Sequence, residues 1–241
     1  MKSNHRTINR PWFIRALLRY DTAAFIACIA FFLVWPRFDL SVSRLFFDMN
    51  THAFIWKDHL IPRSIYSLTH LIGGTIVITL PIMIFASFVK KKGFLAQRRK
   101  ALIFLLSLAL LGPGLVVNVI LKEHWDRPRP RQIIEFGGDK QYEAPFAPDF
   151  MSEGCYSFVS GHASVGFYFF GLALLSRKRK WLVLPILAGT VIGAGRIVQG
   201  GHFFSDVLFS GWVVWFCSIL LYTQFFKLNA NLVENEPVQE I

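Results

Sequence analysis

Charge is scarce in this chain. Asp, Glu, Lys and Arg make up 17% of its 241 residues, against 54% hydrophobic and 16% aromatic. Soluble domains carry about a quarter of their residues charged, so an ordinary soluble enzyme is excluded. Cysteine is equally sparse, with only Cys28, Cys155 and Cys217. Cys28 and Cys217 fall inside apolar runs and Cys155 alone lies in a polar stretch, so no disulfide framework is available. RNA- and DNA-binding signatures are missing, and the net charge of +11 is therefore not read as nucleic-acid affinity. Internal repeats are missing too.

Apolar runs are what the chain has in quantity. A helix crosses a hydrocarbon core with about 20 such residues. The pattern predicts an all-α polytopic membrane protein with six transmembrane helices: about Thr22 to Trp35, about Leu68 to Val89, Ala101 to Leu121, Ala163 to Ser176, Trp181 to about Val198, and Phe203 to Phe226. Pro81 and Pro113 sit inside the second and third, where proline kinks a helix. The fourth is short unless its helix begins near Ser160. No small-residue cleavage site follows the first, which reads as an uncleaved helix rather than a signal peptide. Residues 1–21 form a basic N-terminus, in which Trp12, Phe13, Ile14, Leu17 and Leu18 interleave with arginines and suit the membrane surface. Residues 22–226 form the membrane domain, and 227–241 a polar tail that is acidic from Glu234 to Glu240.

Positive charge sets the expected orientation. Lys2, Arg6, Arg10, Arg15 and Arg19 precede the first run. Lys90, Lys91, Lys92, Arg98, Arg99 and Lys100 link the second and third, and Arg177 to Lys180 link the fourth and fifth. These segments share a side, which the positive-inside rule makes the cytoplasm. Both termini are then cytoplasmic. The long loop from about Lys122 to Val159, with five basic and seven acidic residues, faces outward.

Three polar clusters meet on that outward side. The first is Lys122 to Pro130, the second Ser157 to His162, and the third Arg196, His202 and Asp206. Lys122, Arg129 and Arg196 supply cations suited to phosphate oxygens. Ser160 and Gly161 stand where a helix begins, whose free amides favour an anion. His202 and Asp206, at i and i+4, are expected on one helix face, where the carboxylate holds the imidazole in one tautomer. The other ring nitrogen is then free to attack phosphorus, and His162 can protonate the departing alkoxide. Each piece alone has a plainer use. A boundary cation snorkels to headgroups, Arg-Pro stiffens a loop, a His–Asp pair is a structural hydrogen bond, and Ser-Gly-His caps a helix. The conjunction of three sites on one face favours chemistry, because polar residues at span ends are costly unless used.

The spacing Lys-x6-Arg-Pro, then Ser-Gly-His, then Arg-x5-His-x3-Asp resembles the type 2 phosphatidic-acid phosphatase superfamily. The resemblance runs from the third predicted span to the sixth. It implies a metal-free lipid phosphatase with no cofactor. His202 would be the nucleophile that forms a phosphohistidine, Asp206 its orienting partner and His162 the general acid. Lys122, Arg129, Ser160, Gly161 and Arg196 would bind the phosphate. Apart from the resemblance, the position of Arg127 in the long loop beside this clamp makes it a candidate additional substrate contact. Two departures are Val159, where the family usually has proline, and Gly195, where it usually has serine. The stretches Gly112–Asn118, His124–Pro130 and Gln199–Asp206, with Asp39 to Ser43 and Phe46 to Asp48, are similar to bacterial lipid A phosphatases, the 4'-phosphatase group above all.

The expectation is therefore a lipid phosphatase of a Gram-negative inner membrane. Its site would be periplasmic, its partners the bilayer and a lipid such as lipid A, with the 4'-phosphate favoured. The same frame serves lipid A 1-phosphatases and phosphatases of phosphatidylglycerophosphate and undecaprenyl diphosphate. A six-span transporter or anion-binding protein is the rival of a different class. Its usual signs, repeats and mid-membrane polar groups, are not found. The sequence leaves oligomeric state, acyl preference and the lipid's route of access open.

Overall fold

A computed structural model describes residues 12–226 except 91 and 148–153, and the side chains of 12–19 are not described. The amphipathic N-terminus and the acidic tail expected from the sequence lie largely or wholly outside these residues. Helices dominate. They are α1 (Trp12–Val34), α2 (Phe38–Arg44), α3 (Leu60–Val89), α4 (Phe94–Ala109), α5 (Lys122–Trp125), α6 (Gly161–Phe167), α7 (Phe170–Ser176), α8 (Val183–Val198) and α9 (Phe204–Phe225). A short antiparallel hairpin, β1 (Phe47–Asp48) with β2 (Ala53–Phe54), follows α2.

Among the described residues, four helical stretches are long and apolar enough to cross a membrane: Leu60–Val89, Arg99–Gln132, Arg179–Val198 and Phe204–Phe225. A fifth is present if α1 and α2, which meet at 82°, count as one bent span. The expected fourth span, Gly161–Ser176, does begin at Ser160, but it is broken between α6 and α7. Its 16 residues rise about 24 Å, short of the about 30 Å of a hydrocarbon core. Against the six spans expected, the described residues thus show four or five of full length and one shorter apolar helix.

Two other boundaries move. α3 starts eight residues before the expected Leu68, because His59 caps its first turn by accepting from the Ile61 amide at 3.3 Å. Pro62 is harmless in that turn, where no earlier carbonyl awaits its nitrogen. The extra turns carry Tyr66 and His70 stands just after them. The third apolar run extends α4 through wider π-type turns at Leu110–Leu121, around Pro113. Asn118 Nδ2 donates to the Pro113 carbonyl at 2.6 Å. Proline cannot donate the usual helical hydrogen bond, and such local widening is how its neighbours are re-satisfied.

The core lies between α1, α6, α7, α8 and α9, where Phe32, Phe167, Phe170, Ile197, Phe209 and Trp215 interlock. α6 and α8 approach closely because Gly166 meets Gly189, and a Cβ on Gly166 would stand 2.6 Å from the Gly189 nitrogen. A second apolar cluster, Leu40, Phe47, Phe54, Ile133, Phe136 and Phe203, forms a lid over one end of the bundle. That end collects the start of α3, α6 and α9, the end of α8, and α5. It is where the three polar clusters converge.

Candidate active site

His202 lies in the turn between α8 and α9, not on a helix face, because α9 begins only at Phe204. The expected pairing with Asp206 at i and i+4 is kept, but across the start of α9 rather than along one helix face. The Asp206 carboxylate accepts the Phe203 amide at 2.7 Å and the Ser157 hydroxyl at 2.5 Å. His202 Nδ1 stands 2.9 Å from the Ser157 carbonyl and 3.5 Å from Asp206 Oδ2. A carbonyl only accepts, so Nδ1 carries the proton and Nε2 keeps its lone pair. The ring is 1% exposed. Burial pulls its pKa down to about 4, against the opposing effect of Asp206, so His202 is neutral near neutrality.

Ser160 caps α6, its hydroxyl accepting the Ala163 amide at 3.4 Å, and its own amide donates to the Asp206 carbonyl at 3.0 Å. This ties the second cluster to α9 and sets His162 beside His202, with ring centroids 6.5 Å apart. Gly161 fits tightly against the Asn118 side chain. Arg196, in the last turn of α8, donates to Gln199 Oε1 at 2.6 Å and lies 4.8 Å from the Tyr66 ring centre. Its Nε is buried with no partner among the described residues. Gly201 leaves it room, since a Cβ there would stand 2.5 Å from its Nη2.

Lys122 reaches toward Asn118 Oδ1 at 3.5 Å. Lys122, Arg129 and Arg196 are part-buried and close enough to repel one another, and none of the three forms an ion pair among the described residues. Converging cations of this kind suit an anion. Among the described residues no cluster of three or more His, Cys, Asp or Glu is arranged to hold a metal ion.

Arg127 is a correction. Expected as a substrate contact, it is 0% exposed and its guanidinium is fully engaged. Nε donates to the Glu143 carbonyl at 2.9 Å. Nη1 donates to Ser205 Oγ at 2.8 Å and Asp206 Oδ1 at 2.6 Å. Nη2 donates to Asp39 Oδ2 at 2.8 Å and Tyr142 Oη at 3.4 Å. Ser205 in turn donates its amide and hydroxyl to Asp39 at 2.9 and 2.5 Å. Arg127 therefore braces the Asp206 carboxylate and has no donor left for substrate.

Sequence reasoning also missed His70 and Tyr66. Both belong to α3 and both touch His162. His162 Nε2 is 3.1 Å from His70 Nε2, and Tyr66 stacks on the His162 ring at 4.6 Å. Their signal was present as a histidine inside an apolar run, where ionisable groups are costly. A cavity of about 260 Å³, lined by His70, His162, Lys122, Asn118, Gly161 and Thr69 among others, opens here between α3 and the π-type turns. A larger apolar cavity of about 650 Å³ between α1, α8 and α9 holds none of these groups.

Lipid A 4'-phosphatase of Francisella tularensis subsp. novicida is 34% identical over 82% of this chain and 90% of its own length. Lipid A 4'-phosphatase of Rhizobium leguminosarum is 33% identical over 82% of this chain and 92% of its own. That of Rhizobium etli is 41% identical over 54% of this chain and 53% of its own. No solved structure matches. The PAP2 superfamily model covers residues 100–230, the stretch that holds Lys122, Arg129, Ser160, His162, Arg196, His202 and Asp206 together, and the chain belongs to the PAP2 superfamily.

Proposed function

We propose that the chain removes a phosphate monoester from lipid A, the 4'-phosphate in preference to the 1-phosphate, through a phosphohistidine on His202. The carrying observation is the cluster of converging cations beside a histidine whose Nδ1 proton is committed to a carbonyl. Superfamily membership and the lipid A 4'-phosphatase relatives support a membrane lipid phosphatase.

His202 Nε2 attacks phosphorus in line with the ester oxygen. Asp206, 3.5 Å from Nδ1, offsets the positive charge that grows on the ring. Lys122, Arg129 and Arg196 hold the phosphoryl oxygens, and cations fixed in a part-buried site stabilise the charge of phosphoryl transfer without reorganising. Ser160 and Gly161 close the phosphate site where α6 begins. His162 protonates the leaving sugar alkoxide, then accepts a proton from the water that hydrolyses the phosphohistidine. This scheme asks for no metal. The basic segments at the other end of the bundle favour a periplasmic site in a bacterial inner membrane, with both termini cytoplasmic.

The test is mass spectrometry of bis-phosphorylated lipid A after incubation with purified protein and a chelator, with fragmentation to locate the lost phosphate. Loss from the distal sugar is expected. Loss from the reducing end would overturn the regiochemistry, and activity restored only by added metal would overturn the metal-free scheme. Cleavage of phosphatidylglycerophosphate or undecaprenyl diphosphate without any of lipid A would move the substrate to those lipids.

A further inference from the structure

We propose that His70 is a proton port that serves the buried general acid, passing a proton through His162 to the leaving oxygen and taking it back in the second half of the reaction. The inference rests on His162 being the general acid.

The geometry restricts what His162 can do alone. Its Nε2 faces His70 Nε2 at 3.1 Å, and its Nδ1 is buried with no partner among the described residues. Nδ1 is then the nitrogen left for a leaving oxygen. Two imidazoles meeting nitrogen to nitrogen share one proton, because one must donate and the other accept. If Nδ1 of neutral His162 carries a proton, Nε2 is the acceptor and His70 Nε2–H the donor. A neutral His162 that gave up its Nδ1 proton without replacement would become an imidazolate beside only cations. His70 supplies the replacement. It is exposed and lines the open cavity of about 260 Å³, so water can exchange protons with its other nitrogen. Tyr66 fixes the pair, stacked on His162 at 4.6 Å and edge-on to His70 at 4.7 Å. The charged groups facing the pair are Lys122 and Arg196, with His202 beyond.

The steps balance. His70 holds a proton on Nε2. The His202 Nε2–phosphorus bond forms and the phosphorus–oxygen ester bond breaks. The leaving oxygen takes the His162 Nδ1 proton as His70 passes its Nε2 proton to His162 Nε2 and takes one from cavity water at Nδ1. Water then attacks phosphorus and the nitrogen–phosphorus bond breaks. The water proton goes to His162 Nδ1, the His162 Nε2 proton returns to His70 Nε2, and His70 releases its Nδ1 proton to the cavity water.

The experiment compares two substrates on the purified full-length protein. Bis-phosphorylated lipid A expels a sugar alkoxide that needs a proton, whereas p-nitrophenyl phosphate expels a stable phenolate that does not. His70→Gln and His70→Ala are expected to lower kcat on lipid A by about 10- to 100-fold, part of the range for general acid–base catalysis. The loss on p-nitrophenyl phosphate should be about ten-fold smaller, since no proton is required there. Added imidazole should recover His70→Ala and not His70→Gln. Equal losses on the two substrates, or none on lipid A, would overturn the relay. His162→Ala, run alongside, separates the two ideas. If its own loss ignores the leaving group, the general-acid reading fails and the relay with it. If its loss follows the leaving group and those of the His70 variants do not, the relay alone fails.

Discussion

Arg127 Nη1 and Asp206 Oδ1 meet at 2.6 Å with both side chains fully buried, directly behind His202. The pair belongs to a closed network that also contains Asp39, so two carboxylates depend on one guanidinium. Burying a charge is tolerable only when it is paired and hydrogen-bonded.

Arg127→Met should therefore unfold the site rather than merely weaken substrate binding. Leaving Asp39 and Asp206 buried without a counter-charge costs about 3–5 kcal/mol. Thermal unfolding in detergent checks this. A variant with unchanged Tm and only a raised KM would show that Arg127 contacts substrate after all.

His202→Ala and Asp206→Asn should differ in kind. His202→Ala removes the nucleophile and is expected to abolish turnover with the fold retained, as read by circular dichroism. Asp206→Asn cannot keep the bonds to Arg127, Ser157 and the Phe203 amide and leaves one unsatisfied, at about 2 kcal/mol. It should lose most activity and show a lower Tm. An unchanged Tm would mean that the carboxylate acts on His202 alone.

The pH dependence follows from His202, whose pKa falls from 6.5 to about 4 through burial. The neutral, nucleophilic form then persists well below pH 6.5, and the loss of activity assigned to this ring belongs near pH 4. For stability, the unfolded chain binds this proton first as pH drops, so the contribution is complete above pH 6.5 and is lost as pH falls toward 4. Tm should decline across that window in wild type more steeply than in His202→Gln. Parallel declines would dissociate His202 from the effect.

The cation cluster gives a graded set. Lys122→Gln, Arg129→Gln and Arg196→Gln should each lower kcat/KM by about 100-fold, the scale of one preorganised transition-state donor. The fold should be unharmed or firmer, because mutual repulsion is relieved. Gly201→Ala should act similarly by pushing the Arg196 guanidinium aside. Competitive inhibition by orthophosphate should weaken in all four. Retained phosphate inhibition in Arg196→Gln would place the anion elsewhere.

Much of this site was legible in the sequence because its parts are local. Lys122, Arg129, Ser160, His162, Arg196 and His202 lie near helix ends that hydropathy marks, and hydropathy also located every apolar helix approximately. What escaped depends on long-range pairing. Arg127 looked like an additional substrate contact because it stands in the loop beside the phosphate clamp, and its partner Asp39 stands 88 residues away. The His202–Asp206 spacing suggested a helix face, and only the cap at Phe203 shows that the helix begins between them. At Gly161–Ser176 hydropathy does not register the break after Phe167, so the expected fourth span is there a shorter apolar helix. His70 was hidden in a run read only for its apolarity.

The bond from the Ser205 amide to Asp39 Oδ1 joins residues 166 positions apart, and this bears on how the enzyme is made. α1 and α2 leave the ribosome early, while Ser205, Asp206 and His202 come with the last helix. Until α9 is inserted, Asp39 lacks Ser205 and Arg127 lacks both Ser205 and Asp206; on the proposed mechanism the nucleophile is then unsupported and the phosphate cations have no reaction to serve. On the proposed mechanism a chain arrested before α9 is inert, and catalytic competence arrives in a single late event of biosynthesis.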